Sequence, residues 1–453
     1  MSIVTSPSSS TGPTPSTALL TDHYELTMLQ AALAGGTADR RAVFELFGRR
    51  LPEGRRYGVV AGTARVLDAL EQFCFDDATL GHLADHQIVD EPTLRWLASY
   101  RFSGDIWGYA EGETYFPGSP LLVVESSFAE AVLLETLLLS IYNHDSAIAS
   151  AASRMTLAAE GRPCMEMGSR RTHEESAVAA ARAAYVAGFA SSSNLAAGQR
   201  YGVPTGGTSA HSFTLLHDTE RDAFRAQIDS LGTDTTLLVD TYDVAEAVRV
   251  GVQMAGTELG AVRLDSGDLP VLARRVRHQL DELGATKTRI VVTSDLDEFA
   301  IAGLAAAPVD AYGVGTSLVT GSGHPTCGFV YKLVARGDSG DGPLVAVAKK
   351  SSEKVSIGGR KWALRRRDDL GLAEAEVIGI GSHPINDGDD RELLVPLVRK
   401  GEVVGREGLT SARARHERSL AELPLEAHQM SRGEPAIPTD YLGSGRPGAV
   451  AQG

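Results

Sequence analysis

The chain has 453 residues, with 43 basic against 58 acidic side chains and a net charge of −15. Such an acidic surface repels phosphate backbones and argues against a nucleic-acid partner, while 43% hydrophobic and 22% charged residues exclude a disordered chain. Cys74, Cys164 and Cys327 stand far apart, which excludes a disulfide framework or a cysteine-rich zinc site and fits a reducing, cytoplasmic setting. Residues 1–17, mostly Ser, Thr, Pro and Gly, read as a disordered tail and carry no secretory signal. Residues 22–33 show apolar spacing for a helix, with Thr21 or Asp22 as N-cap. Residues 42–47 read as a strand and 63–73 as a helix. Residues 128–142 read as one buried helix, apolar except for Glu130 and Glu135. The most apolar stretch within it is too short to span a bilayer, so no membrane partner is expected.

From about residue 160 short apolar runs alternate with amphipathic helices. Strands are expected at 236–239, 261–264, 289–292 and 309–314, with helices at 244–254, 270–283 and 297–306. This βα rhythm means a parallel sheet, closed or open. Each strand ends in polar or glycine residues: Asp240-Thr241, Asp265-Ser266-Gly267-Asp268, Thr293-Ser294-Asp295 and Gly313-Val314-Gly315-Thr316. For one strand these would simply cap the next helix. Four in succession favour a ligand site at the carboxyl end of the sheet. After about residue 345 the rhythm stops. Lys349, Lys350, Lys354, Arg360, Lys361 and Arg365-Arg366-Arg367 read as a basic patch, and residues 391–404 as a strand pair broken at Lys400-Gly401. The expected division is 18–145 and 346–440 as two parts of a smaller α/β domain, 146–345 as a βα barrel with the active site, and 441–453 as a flexible tail.

Several residues can carry chemistry. His211 lies in the turn Gly206-Gly207-Thr208-Ser209-Ala210-His211-Ser212, where an imidazole is free to act as base or nucleophile. His82, His86, His278, His416 and His428 sit in polar, surface-like contexts. No metal-ligand spacing is present, so no structural zinc is expected. Asp265 and Asp268 straddle a glycine at a strand end and suit ribose hydroxyls or Mg²⁺. Arg263, two residues earlier, shares a face with Asp265, where it either meets a ligand or pairs with that aspartate. Gly313, Gly315 and Thr316 offer backbone N–H groups and a hydroxyl to a phosphate. Asp240-Thr241-Tyr242-Asp243 has only a superficial likeness to a phosphoribosyl-diphosphate motif and is discounted.

Together these residues resemble the nicotinate phosphoribosyltransferase family, the type II phosphoribosyltransferases. The likeness rests on Thr21-Asp22-His23-Tyr24-Glu25-Leu26-Thr27-Met28, Phe44-Glu45-Leu46-Phe47, Phe116-Pro117-Gly118-Ser119-Pro120, Gly168-Ser169-Arg170-Arg171 and Ser193-Asn194. It continues through Gly207-Thr208-Ser209-Ala210-His211-Ser212-Phe213, Arg263-Leu264-Asp265-Ser266-Gly267-Asp268-Leu269 and Gly313-Val314-Gly315-Thr316, covering about residues 18–335. His23 and Ser169 stand where the family often has apolar residues, and the segment after Ile148 lacks a lysine that many members carry. The resemblance implies an irregular βα barrel plus a smaller α/β domain built from both chain ends, working as a homodimer with sites at the interface. It implies an enzyme joining nicotinate to 5-phosphoribosyl 1-pyrophosphate (PRPP), with ATP as co-substrate and Mg²⁺ as cofactor. It makes His211 a phosphohistidine, with Asp265 and Asp268 beside it. Tyr24, Thr208 and Arg263 become nicotinate contacts, and Gly313, Gly315 and Thr316 become 5′-phosphate contacts. Arg170, Arg171 and Ser294 complete the substrate-binding set. Nicotinamide or quinolinate as the pyridine, and a catalytically silent nucleotide sensor, are the competing readings.

Overall fold

The computed structural model describes residues 16–338, 342–349 and 356–443. Residues 1–15 and 444–453, most of the two expected tails, lie outside this range, as do Lys350 and Lys354. Ser16 and Thr17, expected in the first tail, are tied to the fold: Thr17 N–H donates to the Gln72 carbonyl at 3.2 Å. Tyr441 and Leu442, expected in the second, belong to the strand Thr439–Leu442.

Six short strands form one parallel sheet. Their order is Ser191–Ser192, Cys164–Glu166, Ala311–Val314, Arg289–Val292, Ala261–Leu264 and Thr236–Leu238. The sheet is a curled half-barrel, open between its first and last strands. Both faces of such a sheet are covered, so its central strands are mainly apolar; Leu237, Val262, Ile290, Val292 and Tyr312 are all buried. The connecting helices Val244–Ala255, Leu269–Glu282 and Glu298–Gly303 pack apolar faces on it, as their spacing predicts. Every strand points its carboxyl end the same way, which gathers the polar strand ends on one rim.

The second layer is a seven-stranded antiparallel sheet, ordered Val345–Ala346, Phe329–Arg336, Arg41–Gly48, Leu122–Ser127, Asp105–Tyr109, Leu394–Arg399 and Glu402–Val403. Both chain ends build it. Phe329–Arg336, which the βα rhythm counts with the barrel segment, instead pairs with Arg41–Gly48. A four-stranded sheet, Arg391–Glu392, Lys361–Arg367, Ala373–Ile380 and Thr439–Leu442, adjoins it.

One long helix, Glu135–Ala158, joins the layers. Leu137, Leu138, Ile141, Tyr142 and Ala147 belong to the core of the antiparallel sheet, and Ile148, Ala149, Ala152 and Met155 to that of the half-barrel. Residues 128–142 are therefore not one helix: Phe128–Val132 stops, and the long helix starts afresh after Leu134. The physical reason is a cap from elsewhere. The buried carboxylate of Glu25, in the helix His23–Ala34, accepts the Thr136 N–H at 3.0 Å and the Thr136 hydroxyl. A carboxylate there satisfies an orphan donor and complements the helix dipole. Asp22 occupies the N-cap of the first helix, but its side chain makes no cap bond.

Most of the described cations of the expected basic patch are paired inside the fold. Lys361 is buried, with Nζ 2.5 Å from Glu45. Arg360 pairs with Glu125 at 2.8 Å, Arg365 with Glu376 at 2.7 Å and Arg366 with Asp390 at 3.3 Å. These four cations neutralise carboxylates of the same fold. His416 is likewise not a surface residue: it is buried, with Nε2 2.8 Å from Ser153 Oγ.

Candidate active site

Strand Ala261–Leu264 runs into the turn Asp265-Ser266-Gly267-Asp268, where Gly267 takes φ +87°. A side chain would strain that left-handed position. The turn is locked by Asp240, the polar end of the adjacent strand. Asp240 Oδ2 accepts the Asp265 N–H at 2.9 Å and the Ser266 hydroxyl at 2.7 Å. Its other oxygen, Oδ1, is buried without a hydrogen-bond partner and lies 3.9 Å from His211 Nε2.

His211 opens the helix His211–Leu216. Its Nδ1 is 3.2 Å from Thr241 Oγ1, and its Nε2 is 3.8 Å from Asp265 Oδ2. The imidazole is thus flanked by two carboxylates and oriented by a hydroxyl, while 41% of its side chain remains exposed. Asp265 is held in turn by the Thr293 hydroxyl on its Oδ1. The loop bearing His211 follows Thr205, which bridges to Ser192 at the first edge of the half-barrel. Since Thr241 follows the last strand, the loop reaches across the sheet's open side.

Arg263 shares its face with Asp265, as strand alternation predicts, but makes no ion pair with it among the described residues. It donates from Nη1 to Thr208 Oγ1. Its Nε is buried without a partner. Burial lowers its pKa, opposed by Asp265 and Asp240 and helped by Arg170. A half-satisfied guanidinium of this kind is ready for an anionic ligand.

Next to these groups lies a cavity of about 200 Å³, lined by Arg170, Arg171, Asp265, Ser294, Gly315 and Thr316 among others. Arg170 and Arg171 come from the turn Ser169–Arg171, and Gly315 N-caps the turn starting at Thr316. Gly313 also lines it; a Cβ there would stand 2.4 Å from Thr293 Cγ2. Ser294 adopts φ +143°, a strained conformation for a side-chain-bearing residue.

Two expected residues sit elsewhere. Asp268 caps the helix Leu269–Glu282, its Oδ1 accepting the Val271 N–H at 3.3 Å, and it does not line the cavity. Tyr24 is 45% exposed beside Glu135 on the other layer. Burial and then the charge of Glu135 raise its pKa. Conversely, the structure gives individual contacts to Asp240, Thr241 and Thr293 and a place in the cavity lining to Asp295, all of which the sequence grouped only among the polar strand ends. Asp240 ends an apolar strand just as Asp265 does, and that parallel was the available signal.

Known proteins resemble this chain along most of its length. The pattern of the nicotinate phosphoribosyltransferase (NAPRTase) N-terminal domain matches residues 19–143. A nicotinate phosphoribosyltransferase of Mycobacterium tuberculosis is 60% identical over 430 residues, covering 93% of this chain and 94% of its own. That of Bacillus subtilis is 37% identical over 384 residues, covering 82% and 78%. The crystal structure of human nicotinic acid phosphoribosyltransferase superposes with a TM-score of 0.79 at 27% identity, covering 93% of this chain and 97% of that one. With 60% identity sustained along almost the whole of both chains, this chain belongs to the nicotinate phosphoribosyltransferase family.

Proposed function

We propose that the enzyme joins nicotinate to the anomeric carbon of PRPP, releasing pyrophosphate and forming nicotinate mononucleotide for NAD salvage. ATP hydrolysis is coupled to this step through a phosphorylated His211. The carrying observation is the setting of His211, flanked by Asp240 and Asp265 beside the Arg263–Thr208 pair, on the rim that also lines the cavity. An imidazole nucleophile needs its ring oriented and a group to take its proton. Thr241 does the first at Nδ1, and solvent at the exposed part of the ring serves as the second.

Displacement at the ribosyl carbon develops oxocarbenium character. Catalysis is then mainly positioning and charge stabilisation. Arg263 and Thr208 bind the nicotinate carboxylate. Asp265 steadies the ribose. Gly315 and Thr316 hold the 5′-phosphate, with Arg170 and Arg171 available to pyrophosphate or nicotinate. Mg²⁺ fits the donor set, because it keeps several waters and needs only one or two carboxylates beside phosphate oxygens. The partnerless Oδ1 of Asp240 and the Oδ2 of Asp265 are the oxygens that would hold it. When bound it neutralises charge on the leaving pyrophosphate.

The active form is a homodimer in the cytoplasm. Tyr24 belongs to this reading only through the second copy, since its own chain leaves it remote from the cavity. The test is turnover of PRPP with nicotinate, nicotinamide and quinolinate, each with and without ATP. Nicotinate mononucleotide must form fastest, and faster with ATP. Preference for either other pyridine, or indifference to ATP, overturns the corresponding half.

A further inference from the structure

Glu166 ends the strand Cys164–Glu166 and is fully buried. No cation pairs with it among the described residues, and burial raises its pKa. A carboxylate is costly to keep in such a place unless its oxygens are well satisfied. They are satisfied by neutral donors: Oε1 accepts the Gly168 N–H, and Oε2 accepts the Ser192 hydroxyl at 2.5 Å. Ser192 Oγ accepts the Asn194 N–H at 2.8 Å, and the Asn194 amide donates to Ser169 Oγ at 2.9 Å. This chain of bonds leaves one strand end, crosses the neighbouring strand and returns to the turn Ser169–Arg171.

That turn has nowhere to go on its other side. A Cβ at Gly168 would lie 2.3 Å from Val319 Cγ1 and 2.9 Å from the Gly315 carbonyl oxygen. Met167 N–H is tied to the Val314 carbonyl at 2.8 Å. The segment carrying Arg170 and Arg171 is therefore pressed against the loop carrying Gly315 and Thr316, with Glu166 bonded to the Gly168 N–H at its base. These four residues share the cavity already described.

We propose that Glu166 is a positioning residue: it sets the gap between the Arg170-Arg171 turn and the Gly315-Thr316 loop, and so controls affinity for the phosphate-bearing substrate. This rests on reading the cavity as the PRPP site. An anion gripped from both sides loses one set of contacts when the walls shift by a fraction of an ångström. Nicotinate, held by Arg263 and Thr208 on a different strand and loop, does not depend on that gap.

Glu166→Gln keeps the volume, but an amide accepts hydrogen bonds at only one of the two positions. The KM for PRPP should rise about tenfold, with the KM for nicotinate within about twofold and kcat less affected than the PRPP KM. Ser192→Ala, a milder change that leaves the Glu166–Gly168 bond, should move the PRPP KM the same way by less. Thr316→Ala is measured alongside. If Thr316→Ala leaves the PRPP KM unchanged, the PRPP reading of the cavity falls and the role of Glu166 with it. If Thr316→Ala raises it while Glu166→Gln and Ser192→Ala do not, or if these two raise both KM values equally, the cavity reading stands and the positioning role is overturned.

Discussion

His211 shows how much one side chain depends on three neighbours. Thr241 orients Nδ1, while Asp240 and Asp265 stand 3.9 and 3.8 Å from Nε2. Incubation with γ-labelled ATP should give an acid-labile, base-stable label that His211→Ala abolishes. In the proposed scheme the phosphohistidine couples ATP to turnover without itself displacing pyrophosphate, so the mutant should retain ATP-independent synthesis. Equal labelling, or complete inactivity of a folded mutant, contradicts this. Arg263 gives a second residue-level outcome. Lysine keeps the charge but loses the two-pronged hydrogen bond, worth about 1.5–3 kcal/mol, or roughly 10- to 150-fold in affinity. Arg263→Lys should weaken nicotinate by that factor and leave nicotinamide nearly unaffected. Equal weakening of both would mean that Arg263 only supports the loop through Thr208.

At the scale of single elements, the loop after Ala311–Val314 is a clean probe. A Cβ on Gly315 has only an ordinary contact, 3.5 Å from the Met167 carbonyl oxygen. Gly315→Val should place methyl groups in the cavity wall and raise the PRPP KM well above any change for nicotinate. An unchanged PRPP KM would remove this loop from the site. Four of the six parallel strands were legible in the sequence because each is a short apolar run stopped by a polar residue, and Arg289–Val292 and Ala261–Leu264 fall where the pattern puts them; Cys164–Glu166 and Ser191–Ser192 carry no such run. What escaped were elements shaped by distant residues. The break before Glu135–Ala158 depends on Glu25, 111 positions away from Thr136. Lys361 and Arg365 read as exposed cations because nothing local announces Glu45 or Glu376. Asp240 stood out only as one polar strand end among four, because its bonds to the neighbouring strand's turn exist only in the folded sheet.

For the molecule as a whole, polar groups buried between the layers fix how the chain ends dock on the rest. Arg365 and Glu376 have no exposed side-chain surface, and Arg365 also donates to the Thr114 carbonyl at 2.9 Å. Arg365→Met leaves that carboxylate buried without its cation and should cost about 3–5 kcal/mol, whereas Arg365→Met with Glu376→Leu should recover most of the loss. Chemical denaturation of the single and double mutants checks this. His416, on the helix Leu409–Ala421, touches Ser153 of the long helix. Burial, helped by Arg413, pushes its pKa down from 6.5 to about 4. The folded ring stays neutral where the unfolded chain binds a proton. Its contribution is complete above the unfolded value of 6.5 and is lost as the pH falls towards about 4, by about 3 kcal/mol. His416→Gln should remove that share of acid sensitivity, seen as a smaller stability difference between about pH 7.5 and about pH 5; an undiminished difference would assign the acid limb to other groups.

The strand Arg41–Gly48 lies between Leu122–Ser127 and Phe329–Arg336. One neighbour follows soon in the chain, but the other is about 280 residues downstream. At ribosomal speeds of about 5–20 residues per second, the wait is roughly 15–55 s. Throughout it the hydrogen-bonding edge of Ala42, Val43, Phe44, Leu46 and Phe47 has no partner, and an open apolar edge invites strands from other chains. The half-barrel emerges during this interval and can assemble first, so biogenesis runs from the middle of the gene product outwards. Nascent chains arrested before residue 329 should accordingly aggregate or recruit holding chaperones through Arg41–Gly48 more than chains long enough for Phe329–Arg336 to have left the ribosome.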